Sequence, residues 1–574
     1  IGSYTITYTA TDSAGNIGSA NRVILINEPR PFITTWTTYH PGLTNDDQIM
    51  IGTSGTGYDY HVDWGDGSID EHVTGDIIHT YNVAGTYTVK ISGNFPQTYF
   101  EQPVYSNGQW ILYSDSVKLR SIDQWGDIKW SSMKNAFYLC TELINVATDR
   151  PDLSAVTDMS GMFLAAYKFN GDISHWDVSN ITNITNMFTY AKAFNQDLSG
   201  WNLSNVTDMS GVFSFTDSFN QDISSWDVSN VTNMASMFMG ADAFNQDISS
   251  WDVSNVTNME GIFESAAAFN QDISSWDTSN VTRLARMFKN TKVFDQDLSS
   301  WDVSNVVYMY SMFEGALAFN QSISSWDVSN VNNMTRMFAN TKAFNQNINS
   351  WDVSNVISMD WMFSNSEAFN QDLSGWNVSS IGSMSRMFLG AKVFNQSLNS
   401  WDVSKVHSMY SMFAGATAFN QDLSNWDVSN VTDMASMFSN ADAFNQDLSS
   451  WDVSNVIYMY RMFKGADSFN QDLSRWDVSN VTDMSLMFAQ TKAFNQNLSL
   501  WDVSNVKKMK GMFEGTKLST LNYDALLLGW SNLPLQRDVE FHGGNSKYSN
   551  SSQSARDVLT DIYSWSVTDG GVDN

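Results

Sequence analysis

One 25-residue stretch is written fourteen times in succession, from Phe169 to Leu518, with no insertion or deletion. Phe219 to Ala243, FNQDISSWDVSNVTNMASMFMGADA, is a representative copy. Position 1 is Phe, position 8 is Trp and position 20 is Phe in every copy, from Phe169, Trp176 and Phe188 to Phe494, Trp501 and Phe513. A strict period of this length predicts an elongated solenoid, because one repeat has too little apolar surface to fold alone and buries it by stacking on its neighbours. The 35 Phe, 22 Trp and 29 Met then read mainly as a periodic core, not as a cofactor site.

Within a copy, Ile223, Trp226 and Val228, followed by Asn230, predict a short strand and a tight corner. Val231, Met234 and Phe238, spaced by three and four, predict a short helix. Ser229 or Asn230 stands where a helix N-cap belongs, and Gly240 stands near a helix end. The expected fold class is an α/β repeat solenoid with one strand and one short helix per 25-residue unit. Its order resembles the leucine-rich repeat, whose L-x-x-L-x-L-x-x-N run it follows with Trp in one Leu place and one residue fewer before the Asn.

The copies with FNQD, WDVSNV and MF also resemble the tandem repeat of bacterial surface proteins and lipoproteins related to BspA-like leucine-rich-repeat adhesins. The resemblance spans residues 169–518. It implies a secreted or cell-surface adhesin, and it implies no catalytic residue.

In chain order, residues 1–27 read as two alternating strands joined by Asp12 to Asn16. Two strands cannot make a core. They resemble the last two strands of a bacterial immunoglobulin-like domain, with earlier strands expected upstream of Ile1 and the chain expected to be a piece of a longer protein. Residues 28–110 read as all-β. VDWGDGSIDEHV from Val62 and HTYNVAGTYTVKISG from His79 resemble the signatures of a PKD-type β-sandwich, which implies a spacer preceding the repeats. Residues 111–168 form an N-terminal cap with two eroded repeats, Lys118 to Glu142 and Ile144 to Lys168. Residues 169–518 are the fourteen repeats. Residues 519–574 read as a C-terminal cap and linker, with helices from Asn522 and Ser554 and strands at Val539 to Phe541 and Trp565 to Val567.

A net charge of −31 argues against nucleic acid, whose phosphates need basic surface. It suits an extracellular protein that must stay soluble. A single cysteine, Cys140, excludes an internal disulfide framework. No apolar run is long enough to span a membrane, so no membrane insertion is expected of these residues. Attachment would fall to secretion or surface-anchoring machinery acting through other regions.

Two sets of positions are candidates for chemistry. Position 9 is Asp in twelve copies, including Asp227, Asp252, Asp277 and Asp302, and Asn in the other two, Asn202 and Asn377. Position 4 is also mostly Asp, interrupted by Ser322, Asn347, Ser397 and Asn497. Stacking at about 4.8 Å would bring these carboxylates close, with a repulsion of roughly 1 kcal/mol per neighbour in water. Either each Asp accepts hydrogen bonds at its own turn, or Ca2+ bridges carboxylates and carbonyls. No other cofactor is expected.

Positions 15, 17 and 18 vary instead, and collect Tyr308, Tyr310, Trp361, Tyr410, Tyr458 and Tyr460 with Arg283, Arg286, Arg336, Arg386 and Arg461. Aromatic residues interleaved with Arg on the outer side of a helix column suit recognition of sugar rings or peptide side chains. Drift on a solvated face would also produce variation there. The histidines, His40, His61, His72, His79, His175, His407 and His542, show no metal or triad spacing, so no enzyme is expected. The expected partner is an extracellular glycan or protein surface. The alternative is a structural stalk or surface-layer component without a ligand.

Overall fold

The computed structural model describes residues 2–26, 28–100, 104–106, 109–111, 114–144 and 146–573. The chain forms two compact bodies, Ile1–Val206 with Thr216–Gln221, and Thr207–Phe215 with Asp222–Asn574.

In the first body, β1 (Gly2–Thr11) and β2 (Ile17–Ile26) form an antiparallel hairpin. Its turn is held by Asp12 Oδ1, which accepts the N–H groups of Ala14 and Asn16 at 2.9 Å. The strands that follow are β3 (Phe32–Thr37), β4 (Gln48–Ile51), β5 (Asp59–Asp63), β6 (Ile69–Val73), β7 (Ile77–Thr80) and β8 (Thr86–Asn94). A short pair, β9 (Val104–Ser106) and β10 (Gln109–Ile111), precedes β11 (Leu119–Gln124). Strands β11-β3-β8-β5-β6 make one antiparallel sheet, and β4-β7 pair separately. Alternation sorts the faces, so Tyr60 and Val62 of β5 are buried beside Val89 and Ile91 of β8. Gly65 takes a φ of +78° against the Thr88 carbonyl, where a side chain would collide. Lys118, read from sequence as the start of an eroded repeat, is a fully buried strut. Its ammonium donates to the carbonyls of Thr44, Asn45 and Gln48 and to Thr44 Oγ1, beside Asp115 at 3.6 Å.

The repeats of the second body contradict the expected strand-plus-helix solenoid. Among the described residues of 169–518 there is no helix, and the regular strands of the chain lie in small sheets elsewhere. Each repeat is instead a chain of tight turns. Trp226 N–H bonds to Ile223 O, Val231 N–H to Val228 O and Phe244 N–H to Ala241 O. In the stretch read as a helix, donors alternate. The N–H groups of Met237, Met239 and Ala241 bond three residues back, whereas those of Met234, Ser236, Phe238 and Gly240 bond to the carbonyls of Asn258, Glu260, Ile262 and Glu264 in the next repeat. An α-helix would send every donor four residues back along its own turn. The alternation requires left-handed backbone at positions 18 and 22, with φ of 56° at Ser236 and 65° at Gly240. A parallel bridge at position 15, such as Asn233 with Asn258, keeps successive repeats in register.

Inside this stack the apolar positions form columns. Trp226 and Trp251 lie 6.4 Å apart with rings 2° from parallel, and Phe238 and Phe263 lie 5.9 Å apart. From Trp201 on, the indole N–H is satisfied on the preceding repeat, as Trp251 does on Ile223 O at 3.1 Å, whereas Trp176 at the head of the array has no such partner. These rings are almost wholly buried, at about 1.5–3 kcal/mol for a fully buried large apolar side chain, a gain that one isolated repeat would forfeit.

The C-terminal segment extends the same pattern with different elements. Helix α1 (Thr520–Trp530), capped by Ser519, buries Tyr523, Leu526, Leu527 and Trp530. Strand β12 (Glu540–His542) pairs in parallel with β13 (Ser566–Thr568), and α2 (Gln553–Asp557) precedes β13. His542 O accepts the Phe513 N–H, Trp530 Nε1 donates to Leu498 O and Gln536 Nε2 to Ser504 O. The cap thus meets bonds that a further repeat would have met.

Candidate binding surface

The hydrogen-bond register decides which side chains meet. The N–H of position 18 bonds to the carbonyl of position 17 one repeat later, as in Arg286 to Tyr310 at 3.0 Å and Arg386 to Tyr410 at 2.8 Å. An Arg at position 18 is therefore delivered beside position 17 of the next repeat, which is Tyr310 for Arg286 and Tyr410 for Arg386, but Asp360 for Arg336 and Ser485 for Arg461. The Arg286 guanidinium lies 5.9 Å from the Tyr310 ring centroid, and that of Arg386 lies 4.5 Å from Tyr410. The position-15 bridge between Arg283 and Tyr308 sets Arg283 5.1 Å from its ring. Trp361 receives two arginines, Arg336 at 4.9 Å and Arg386 at 4.2 Å. Tyr410 and Tyr460 are 6.3 Å apart. Cation–ring contacts of this kind contribute about 0.5–1 kcal/mol each at exposed sites.

These residues lie on the inter-repeat ladder and not on the outer side of a helix. Among the rings, Tyr308 and Tyr458 are the most open, at 37% and 47% exposed. Arg336 and Arg461 are exposed, while Tyr310, Trp361, Arg386, Tyr410 and Tyr460 are half-buried. The left-handed backbone of position 18 is held by Arg286, Arg336, Trp361, Arg386 and Arg461, with φ between 56° and 63°.

Acidic partners missed in the sequence complete part of this surface. Glu260 Oε1 accepts from Arg286 at 2.5 Å and from the Tyr310 hydroxyl at 2.6 Å. Burial works to raise the Glu260 pKa, but Tyr310 and Arg286 together hold the carboxyl below its usual range. Glu264 lies 3.8 Å from Arg286, and Glu314 lies 3.7 Å from Arg336. The signal was present as Glu at positions 17 and 21 one repeat before an Arg at 18, but reading it requires the stacking register. Burial and then the Tyr410 hydroxyl push Tyr460 up to about 12.

The acidic columns sit at turns. Asp227 Oδ1 accepts the Ser229 N–H at 3.1 Å and its hydroxyl at 2.6 Å, and Asp252 repeats this with Ser254. Asp277 and Asp302 accept the N–H of Ser279 and Ser304. The Ser229 hydroxyl and N–H hold the Asp227 carboxyl below its usual range despite burial and the nearby Asp252 charge. Asn377 makes the same two bonds to Ser379 without a charge, and Asn347 and Asn497 accept the corresponding N–H at position 4. An acceptor oxygen is thus what all these residues supply. Among the described residues no three His, Cys, Asp or Glu side chains gather as a metal would require. Of the histidines, His79 stacks on Trp64 at 4.7 Å and meets Asp66 at 2.9 Å, and His72 meets Asp59 at 2.9 Å.

A family model described as "Mycoplasma protein of unknown function, DUF285" matches residues 131–251, 215–326, 309–426 and 408–525. The chain belongs to the DUF285 family. The overlapping matches to DUF285 begin within the first eroded repeat and run through the second and all fourteen intact ones. DUF285 is described without an activity, so it assigns no role to the arginines and aromatic rings above. Comparison with curated proteins gives no match. No helix among the described residues is long and apolar enough to cross a membrane.

Proposed function

We propose that this chain is a non-catalytic bacterial surface or secreted protein that adheres, through the arginine–aromatic face of its repeats, to an extracellular glycan or protein surface. The observation that carries this reading is the convergence of Arg336, Trp361, Arg386, Tyr410 and Tyr460 along one ladder. Aromatic rings and Arg are the side chains that dominate recognition surfaces, since they bury large area with few rotors and donate directed hydrogen bonds. The resemblance to BspA-like repeats and the charge of −31 support an extracellular setting. The N-terminal sheets serve as a spacer in this reading, and the position-9 carboxylates as turn acceptors without Ca2+.

A second reading, a stalk without ligand, draws on the fact that the arginines already stack on rings of neighbouring repeats. The two separate on an array of glycans and extracellular matrix proteins probed with the intact chain. Reproducible binding supports adhesion, and a blank array supports the stalk.

A further inference from the structure

Along the arginine–aromatic face, most guanidinium groups have an acid one repeat earlier. Arg286 has Glu260 at position 17 and Glu264 at position 21, and Arg336 has Glu314 at position 21. At Arg386 this pairing stops. The residue at position 21 one repeat earlier is Ser364, whose buried hydroxyl has no hydrogen-bond partner. The acid at position 17, Asp360, is committed elsewhere, since its Oδ1 accepts from Ser383 Oγ at 2.7 Å and from the Ser385 N–H at 2.8 Å. No ion pair joins Arg386 to any acid among the described residues, in a chain with 61 Asp and Glu for 30 Lys and Arg. Its guanidinium carbon lies over two rings, Trp361 at 4.2 Å and Tyr410 at 4.5 Å. The group is therefore flanked by two rings, and none of its N–H groups is paired with a carboxylate.

We propose that Arg386, framed by Trp361 and Tyr410, is an anion-recognition subsite for an acidic polysaccharide. The proposal rests on the adhesive reading of this face. A guanidinium fork pairs with a carboxylate or sulfate through two parallel hydrogen bonds. The adjoining rings offer apolar faces to sugar C–H groups. An acidic peptide would supply the charge but not the sugar faces.

The test uses the intact chain against a uronate polysaccharide, a sulfated polysaccharide, a neutral polysaccharide and poly-glutamate. Wild type is expected to bind at least one acidic polysaccharide, more weakly as salt rises, and to bind the neutral one and poly-glutamate at least tenfold more weakly. Comparing the uronate and sulfated polymers identifies the anion. Arg386→Gln is expected to lose at least tenfold in affinity. Ser364→Glu is the second variant, because Glu264 and Glu314 show that position 21 accepts Glu, and this change neutralises Arg386 without removing it. It is expected to lose binding with an unchanged melting temperature. Equal binding of neutral and acidic polysaccharides, preference for poly-glutamate, or unchanged affinity in both variants would overturn the anion subsite while leaving adhesion standing. Binding to none of the four polymers, with a protein partner found on the array, would overturn the subsite alone. A blank on the array as well would remove the adhesive reading with it.

Discussion

The side-chain Oδ1 of Asn420 accepts the backbone N–H of Asn445, one repeat further along, at 3.0 Å. Gln446 Nε2 donates to the same oxygen at 2.8 Å and to the Asn420 carbonyl at 3.1 Å. The link recurs from Asn395 to Asn420 and from Asn445 to Asn470, so position 2 is a column of amide acceptors running beside the aromatic core.

Asn420→Ala should therefore cost about 1–3 kcal/mol, the penalty of leaving a partly buried donor unsatisfied. Asn420→Asp should cost less, because Asp295 already fills this role by accepting the Asn320 N–H at 2.9 Å. Urea unfolding of the two variants checks the order. Equal losses would show that the column contributes through something other than its acceptor oxygen.

The turn bonds at position 9 make a different claim, that charge is dispensable there. Asp227→Asn should leave stability nearly unchanged, as Asn377 holds the same geometry, while Asp227→Ala should lose about 0.5–1.5 kcal/mol for its hydrogen bonds. Melting in CaCl2 and in NaCl of matched ionic strength should agree, since sodium screens a charge of −31 as well. A rise of many degrees in CaCl2 alone, reversed by chelator, would make these carboxylates ligands.

The correction from helix to ladder has a test of opposite sign. Gly261 occupies position 18 with φ +62°, and the nearest atoms a Cβ there would meet belong to the side chains of Glu264 and Ser236, at 3.3 and 3.5 Å. In a helix Gly261→Ala would stabilise by about 1 kcal/mol. In the left-handed turn it should instead destabilise by about 1–2 kcal/mol. Thermal unfolding of the single variant decides between them.

The Phe and Trp columns were legible in the sequence because burial forces identity at a fixed period, and the Ser229–Asn230 corner because its turn chemistry is local. The helix was misread because turns closing three residues back place Val231, Met234 and Phe238 on the inner side, as a helix would. Gly240 looked like a C-cap, and it is left-handed, but within a ladder. Ser236, Trp361 and Arg386 adopt the same backbone with nothing in their side chains to announce it. The candidate surface was legible as a set of positions. The pairing of Arg286 with Tyr310 and of Arg386 with Tyr410 was not, because that depends on which repeat each N–H reaches.

The first body carries a pH prediction. Burial acts against the Asp66 charge, but bonds from the Ser68 hydroxyl, His79 and the Ser68 N–H lower its pKa to about 2. A depressed carboxylate stabilises fully above its ordinary value near 3.8 and loses that contribution as pH falls through about 2. Urea midpoints of wild type and Asp66→Asn should differ near neutrality and converge across that window. A difference that persists below it would assign the effect to packing.

Adhesion through exposed rings outside the buried columns is tested most directly by Tyr308→Ser combined with Tyr458→Ser, measured for both target binding and melting temperature. Tyr308 and Tyr458 are the open members of the face, and neither ring is among the buried core residues. The double variant should lose most of its binding to whatever glycan or protein the array identifies, while its melting temperature moves by no more than the loss of the Arg283 contact allows, about 0.5–1 kcal/mol. Full binding by a folded double variant would contradict the account.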